Sequence, residues 1–246
     1  MTTGNPVALV TGGARRIGAA IVRRLHADGH DVALHYRHSA ADAEALATQL
    51  TASRPGSVLL LQADLDDVMA VTGLVDSTVA HFGRLDALVN NASAFFPTSI
   101  GTTSPAQWES LFAANVRAPF FLAQAAASHL RRARGAIVNL VDIHGERPLR
   151  DHAAYGASKA ALIHLTSALA LDLAPDVRVN AVAPGAILWP EQGKDGAEQA
   201  SLIAATPLGR IGTPEEVAEA VRWLLRDATY CTGQVIRVDG GRTLAG

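Results

Sequence analysis

The stretch from Val7 to Gly18 reads Val-Ala-Leu-Val-Thr-Gly-Gly-Ala-Arg-Arg-Ile-Gly and joins a short apolar run to the start of a helical pattern. Glycines at a strand-to-helix turn let a phosphate approach the backbone, and the helix N-terminus favours its negative charge. The alternative is a tight turn without a ligand, in which Arg16 is a solvated residue at the helix start. The turn follows the first of several apolar runs, which favours a dinucleotide site formed by Gly12, Arg15, Arg16, Ile17 and Gly18.

Apolar runs alternate with amphipathic segments along the rest of the chain. Val, Ile and Leu occupy both faces of these runs, as in strands buried within a parallel sheet. The alternation predicts an α/β Rossmann fold, with a doubly wound seven-stranded parallel sheet flanked by helices. The predicted strands are Val7–Val10, Asp31–Leu34, Ser57–Leu61, Ala87–Val89, Ala136–Val141, Val177–Val182 and Gln234–Val238, and the helices lie near 17–28, 40–52, 67–81, 105–133, 153–173 and 214–226.

No linker, repeat or low-complexity tract divides the chain, so we predict one domain over residues 1–246. The longest irregular piece, residues 184–213, is rich in Pro and Gly and is typical of a loop that binds substrate. Leu188 and Trp189 lie in this piece, and Trp189 either covers a ligand or packs on the surface.

The composition limits the function classes. With 246 residues, 49% of them apolar, and a net charge of −2, the chain fits a globular enzyme and offers no bulk charge for nucleic acid or anionic membrane. The single cysteine, Cys231, excludes an intramolecular disulfide and disfavours a thiolate metal site, so no metal is expected. We see no signal peptide or membrane span and expect a cytoplasmic protein.

The second predicted strand ends in a run without a carboxylate. Folds that prefer NAD place an Asp or Glu here to hold the adenosine ribose, whereas Arg, His and Ser offer donors for a 2′-phosphate. The sequence therefore predicts a preference for NADPH over NADH. The residues predicted to bind this end of the cofactor are His35, Tyr36, Arg37, His38 and Ser39.

Tyr155 and Lys159 stand four residues apart in a predicted helix, so their side chains share one side of it. A tyrosine gives a proton only if its pKa, near ~10 when free, is tuned, and a neighbouring ammonium lowers that pKa. The pair predicts a reduction in which a hydride and a proton are added to the substrate. Asp142 precedes it by thirteen residues. This carboxylate is either a proton carrier for part of the cycle or a strand-end residue bonded to backbone amides.

From Val7 to Gly241 these motifs resemble the short-chain dehydrogenase/reductases. The resemblance implies that Tyr155 is the general acid, that Lys159 lowers its pKa and holds the nicotinamide ribose, and that Asn115 organises a proton-relay water. It also implies a homotetramer and further cofactor contacts at Asp64, Leu65, Asn91, Ala92, Ser93, Pro184, Gly185 and Ile187. Taken alone, Asp64 fits a helix N-cap nearly as well, and Asn91 and Asn115 each fit a structural cap.

The departures from that family's pattern resemble the pteridine reductases within it. These have Arg at the middle glycine of the turn, Asp at the catalytic Ser, and a Ser and a Phe after Asn-Asn-Ala. The resemblance implies a pterin or folate substrate stacked between Phe95 and the nicotinamide, although Phe95 and Phe96 also fit ordinary core packing. The implied substrate contacts are Arg16, Ser93, Phe95, Asp142, Tyr155 and Leu188.

Two other functions remain at this point. One is a general carbonyl reductase of the same fold, acting on a ketone or a 3-oxoacyl group, against which Asp142 and Phe95 argue. The other is a non-catalytic NADP-sensing regulator, which intact Tyr155, Lys159 and Asn115 disfavour.

Overall fold

A computed structural model describes residues 4–188 and 196–245 of the chain. The prediction for Trp189 falls outside the described residues. Within them, the seven predicted strands are confirmed, with ends that shift by a few residues. The strands are β1 Val7–Val10, β2 Asp31–Tyr36, β3 Val58–Gln62, β4 Ala87–Asn90, β5 Ala136–Leu140, β6 Arg178–Pro184 and β7 Val235–Val238.

The strands form one parallel sheet in the order β3-β2-β1-β4-β5-β6-β7. The chain reverses its direction of travel across the sheet between β1 and β4, as in a doubly wound fold. Helices connect successive strands. They are α1 Arg16–Ala27, α2 Ala40–Thr51, α3 Val68–Phe82, α4 Pro105–Phe112, α5 Ala118–Ala133, α6 Ala153–Leu173, α7 Gly196–Ala204 and α8 Pro214–Arg226.

Both faces of the sheet are buried, which explains the apolar runs of the strands. In β1, Ala8 and Val10 face a core formed with α1, α2 and α8, while Val7 and Leu9 face a core formed with α3, α5 and α6. All four residues have at most 1% of their surface exposed. Alternate side chains of one strand thus hold two helical layers on the sheet.

Two predicted segments differ from the structure. The helix predicted over 105–133 is interrupted by one π-helical turn, Ala113–Arg117, which separates α4 from α5. The irregular segment 184–213 contains helix α7. Its sequence, Gly-Ala-Glu-Gln-Ala-Ser-Leu-Ile-Ala, contains good helix formers, so the Gly and Pro residues around it misled the prediction.

The carboxyl ends of the parallel strands meet at one edge of the sheet, and the segments that follow β1, β4, β5 and β6 gather there. In doubly wound sheets, ligands bind at this edge near the point where strand order reverses. None of the helices in residues 4–188 and 196–245 is both long and apolar enough to cross a membrane.

Candidate active site

A cavity of about 550 Å³ opens at the carboxyl edge of the sheet, within the size range of small-molecule sites. It brings together residues that are far apart in the sequence, from the turn after β1 to the segment after β6. The predicted site residues that line it are Arg16, Ile17, Asn91, Ser93, Phe95, Asp142, Tyr155, Lys159, Pro184, Gly185, Ile187 and Leu188.

Asp142 follows β5 and hydrogen-bonds to two different groups. Its Oδ2 accepts a 2.6 Å bond from the Tyr155 hydroxyl, and its Oδ1 accepts a 2.8 Å bond from the backbone N–H of His144. The bond to a backbone amide expected of a strand-end residue is thus observed, and the role of Asp142 as a proton carrier stays a prediction. The backbone bond fixes the carboxylate on the short 3₁₀ turn Ile143–Gly145, and the fixed carboxylate meets the phenol.

Tyr155 lies on the first turn of α6 and is buried, with 4% of its surface exposed. Burial raises the pKa of its hydroxyl above the usual value, and the charge of Asp142 and its hydrogen bond raise that pKa further. The net direction is opposite to the lowering expected from Lys159. The phenol is therefore a protonated donor in the protein without its cofactor.

Lys159 lies one helical turn beyond Tyr155 and is buried. Its Nζ donates a 2.9 Å hydrogen bond to the backbone oxygen of Leu140 and lies 5.9 Å from the centroid of the Tyr155 ring. Burial lowers the pKa of its ammonium to about 8, against the opposing charge of Asp142. Its protonation state therefore changes near neutral pH.

Phe95 and Phe96 have different environments. Phe95 is 55% exposed, and its ring stacks on that of His152 with 4.8 Å between centroids and is nearly perpendicular to the ring of Tyr155, with 4.7 Å between centroids. Phe96 packs against the small cluster of Leu111, Ala154 and Tyr155. The core-packing alternative is thus wrong for Phe95 and correct for Phe96. The exposed ring of Phe95 provides an aromatic surface beside the Tyr155 phenol.

Asn115 lies in the π-helical turn, and its amide is fully used within the protein. Its oxygen accepts bonds from Ser93 Oγ and Ala94 N, and its nitrogen donates to Ala94 O and Ser158 Oγ. In this structure the side chain acts as a positioning residue, and its role in organising a relay water stays a prediction. It ties the segment before Phe95 to α6.

The glycine turn after β1 is closely packed. A Cβ on Gly18 would lie 2.7 Å from Asn91 Nδ2, and Gly12 has φ +62°. Asn91 Nδ2 donates to the backbone oxygens of Thr11 and Gly12, and Thr11 Oγ1 accepts from the N–H groups of Asn91 and Ala92. The Asn91 amide therefore stabilises the glycine turn. Thr11, which was not predicted as a site residue, links the start of this turn to the segment after β4 through its hydroxyl.

Arg16 has a left-handed backbone, with φ +52°, at the place of the family's middle glycine. Residues with a Cβ rarely adopt this conformation, and it costs on the order of 1–3 kcal/mol. Arg15 and Arg16 are both exposed, and Arg15 lies 3.7 Å from the carboxylate of Asp42. The strained turn thus presents a cationic side chain to the cavity.

Three residues predicted to contact the cofactor are packed inside the protein. His35 is 1% exposed, and its Nδ1 accepts a 3.2 Å bond from Gly12 N while its Nε2 donates to Ala63 O. Burial lowers the pKa of this imidazole. Leu65 belongs to the core on the α3 side of the sheet, and Tyr36, which is partly buried, packs against the core on the opposite side. The His35 imidazole positions the glycine turn, and cofactor contact at His35, Tyr36 and Leu65 stays a prediction.

Arg37 and Asp64 form a partly exposed ion pair, with 2.6 Å between Nη2 and Oδ2. The helix N-cap alternative for Asp64 is wrong, because Asp67 accepts from Met69 N and caps α3. His38 is exposed, and Ser39 precedes α2 without a side-chain capping bond. Arg37, His38 and Ser39 therefore offer polar groups at the end of β2.

Pro184 ends β6, and the next residues line the cavity. A Cβ on Gly185 would lie 2.8 Å from Asp239 Cα, so this position requires glycine. Ile187 is buried, and Leu188 is 37% exposed at the cavity. These residues form an apolar wall.

Several cavity residues were not predicted from the sequence. The backbone N–H of His144 holds Asp142, and its proximity to that residue was the only available signal. The others that bring side chains to the rim, far from the catalytic motif in sequence, are Leu149, Leu202 and Arg242. Among the residues that the structure describes, no cluster of His, Cys, Asp or Glu is arranged to hold a metal ion.

The turn fits a nicotinamide dinucleotide. Gly12 and Gly18 are required for the tight bend and the close packing of helix on strand, and exposed arginines flank the helix start. A model of the family described as enoyl-(acyl carrier protein) reductase matches residues 12–243. The chain belongs to the short-chain dehydrogenase/reductase family, whose reductases use NAD(P)H, and it is an oxidoreductase of that family.

Individual relatives differ in their named activities. The chain is 38% identical to pteridine reductase 1 of Leishmania tarentolae, with 97% of this chain and 96% of the relative covered. It is 40% identical to a putative ketoacyl reductase of granaticin synthesis in Streptomyces violaceoruber, with 97% and 96% covered. It is also 35% identical to a Synechocystis 3-oxoacyl-[acyl-carrier-protein] reductase, with 97% of each covered.

Proposed function

We propose that this chain is an NADPH-dependent pteridine reductase that reduces pterins or dihydropterins, and dihydrofolate as one such substrate. The observation that carries the proposal is the 2.6 Å hydrogen bond from the Tyr155 hydroxyl to Asp142. A ketone reductase needs a neutral hydroxyl beside its tyrosine, because a carboxylate raises the phenol pKa and repels a developing alkoxide. A carboxyl group is instead useful where a ring nitrogen must receive a proton.

The aromatic face beside this pair supports a flat substrate. Phe95 is half exposed and its ring edge-packs on Tyr155, so a planar heterocycle lying on it would reach the phenol. Ser93 and Arg16 add polar groups for the edge of such a ring. The name of the Leishmania relative agrees with this reading.

The residues that would hold the cofactor are the glycine turn, Arg37 to Ser39 at the end of β2, and Lys159. NADPH would supply the hydride. Tyr155 Oη would give its proton to the substrate nitrogen, and the charge of Lys159 would stabilise the phenolate left behind. Asp142 would then return a proton to that phenolate oxygen, having taken one from solvent. A C=N bond thereby gains one hydride on carbon and one proton on nitrogen.

The deciding experiment compares substrates. Oxidation of NADPH is followed with dihydrobiopterin, dihydrofolate and a panel of ketones and 3-oxoacyl thioesters. We expect kcat/KM to be highest with a pterin and far lower with NADH than with NADPH. Turnover of ketones alone would overturn the proposal in favour of a carbonyl reductase, the alternative that the Streptomyces and Synechocystis relatives support.

We also propose that residues 1–246 act as one NADP(H)-binding domain in which the segment 184–213 borders the substrate, and that four copies assemble. Leu188 and Leu202 of this segment line the cavity, which supports its substrate role. Exposed aromatic residues on α4 and α5, Trp108 and Phe120, support an interface between copies. Light scattering after gel filtration measures the mass, and a monomer would contradict the assembly.

A further inference from the structure

Arg242 lines the cavity from a segment that no catalytic motif contains. It follows β7 and lies beyond the turn Asp239-Gly240-Gly241. Its backbone oxygen accepts a 2.9 Å bond from Arg147 Nη1, so it is joined to the chain that continues from the Asp142 turn. This places the Arg242 backbone beside the segment that follows Asp142.

The backbone around Arg242 is fixed. Asp239 Oδ1 accepts from Gly241 N, and its Oδ2 accepts from both the N–H and the hydroxyl of Thr243. Arg147 Nη1 also donates to Ala245 O. The residues on either side of Arg242 are therefore held in place, and the guanidinium is presented without a large loss of backbone freedom on binding.

One nitrogen of this guanidinium makes no hydrogen bond within the described residues. Arg242 Nη1 is buried, and it has no hydrogen-bond partner among residues 4–188 and 196–245. A buried donor of a cationic group left unpaired is costly, and it is rare unless water or a ligand supplies the acceptor. The planar fork of a guanidinium matches a carboxylate best, through two parallel bonds.

We propose that Arg242 binds a carboxylate on the side chain of the substrate and so selects pterins with an acidic tail, such as dihydrofolate, over pterins with a neutral tail. The proposal rests on the proposed function and names the substrate class of the same cavity. Phe95 and the Asp142–Tyr155 pair would act on the ring common to all pterins. Arg242 would act only on the tail.

The test compares dihydrofolate with dihydrobiopterin, whose tail is neutral, in the full chain and in Arg242→Gln. We expect kcat/KM for dihydrofolate to fall about 10- to 100-fold, the loss typical of a hydrogen bond to a charged group, and kcat/KM for dihydrobiopterin to stay within about twofold. Arg132→Gln, which removes an exposed charge on α5, is the matched control and should change neither. Added salt should raise the KM for dihydrofolate in the parent chain and have little effect in Arg242→Gln.

Equal losses with both substrates, or no loss with dihydrofolate, would overturn the role of Arg242. Equilibrium binding of folate and biopterin to the NADP⁺-loaded protein distinguishes failure of the Arg242 proposal from failure of the proposed function. If the parent chain turns over neither pterin, the proposed function fails. Folate binding that still weakens in Arg242→Gln, with biopterin binding unchanged, would then support the carboxylate site alone.

Discussion

The Tyr155 hydroxyl and the Asp142 carboxylate are joined by a 2.6 Å hydrogen bond, and the other oxygen of Asp142 is fixed by the N–H of His144. Burial raises the pKa of the phenol, and the charge of Asp142 and this bond raise it further, so the proton stays on the phenol. A tyrosine held in this way stays protonated and can serve as a donor, but its raised pKa makes it a weaker acid than a free tyrosine, so proton transfer needs the positive charge of Lys159.

Replacing Asp142 should separate proton transfer from cofactor binding. In Asp142→Asn, the amide oxygen can accept only one of the two hydrogen bonds that the carboxylate accepts, and the amide cannot pass on a proton, so we expect turnover of pterins to fall about 100-fold or more. Asp142→Ser should show a similar loss, together with a gain on ketones as the phenol pKa falls. NADPH affinity, measured by titration of cofactor fluorescence, should remain within about twofold. Undiminished pterin turnover in either variant would refute the role of Asp142.

Phe95→Ala and Phe96→Ala form a matched pair. Phe95 is half exposed, so its loss should change the free energy of unfolding by less than about 0.5 kcal/mol while raising the KM for pterins about tenfold. Phe96 packs on Leu111 and Ala154, so its loss should cost about 2 kcal/mol of stability. Chemical denaturation and steady-state kinetics check both. A large stability loss in Phe95→Ala would mean that its ring is a core residue.

The left-handed backbone of Arg16 predicts an unusual order of stability. Asn tolerates positive φ, so Arg16→Asn should be at least as stable as the parent chain, whereas β-branched Arg16→Val should lose about 1–2 kcal/mol. Both variants remove the charge and should bind NADPH more weakly. Denaturation midpoints measure the first effect and cofactor titration the second. Equal stability of the two variants would contradict a strained backbone.

Buried His35 predicts sensitivity to acid. Its folded pKa lies below the unfolded value of 6.5, so the unfolded state takes up the proton first and stability declines as pH falls below about 6.5. A protonated ring also cannot accept from Gly12 N, so NADPH affinity should weaken over the same range. His35→Gln retains an acceptor and a donor without titrating, and it should flatten both profiles. An unchanged acid dependence of cofactor affinity would disprove the link.

Lys159 predicts the alkaline limb of activity. Its ammonium, with a pKa near 8, loses its charge as pH rises through that value, while Tyr155 stays protonated. We expect kcat/KM for NADPH, which reports the free enzyme, to fall above about pH 8. The measurement is a rate profile from pH 5.5 to 9.5 in buffers of constant ionic strength. A rate that rises steadily to pH 9 would be inconsistent with a charged Lys159 in the reaction.

The fold was predictable because each strand is buried on both faces, so the runs of Val, Ile and Leu mark the strands directly. The π-helical turn at Ala113–Arg117 was not predictable. It shifts the helix by a single residue, which the spacing of apolar side chains over 105–133 is too coarse to show. Helix α7 was missed for a different reason, since the prolines and glycines of the segment hid a short run of helix formers.

The centre of the candidate site was predictable, because Tyr155 and Lys159 are linked by helical spacing and Asp142 ends a neighbouring strand. The roles of individual side chains were less so. His35 and Leu65 lie next to a ligand-binding edge in sequence, yet the pleat of β2 buries His35 and the turn after β3 places Leu65 in the core. Arg242 enters the cavity only through the return of the chain after β7, and no local pattern marks such a long-range approach.

The four hydrogen bonds of Asn115 have a consequence for the design of inhibitors. They join the segment that carries Phe95 to the helix that carries Tyr155. The aromatic face of Phe95 and the proton donor should therefore move as one rigid body. A rigid aromatic face accepts any planar ring and discriminates little among planar rings. Selectivity between related enzymes should therefore be sought in substituents that reach Leu149, Leu202 and Arg242, where the wall comes from separate parts of the chain.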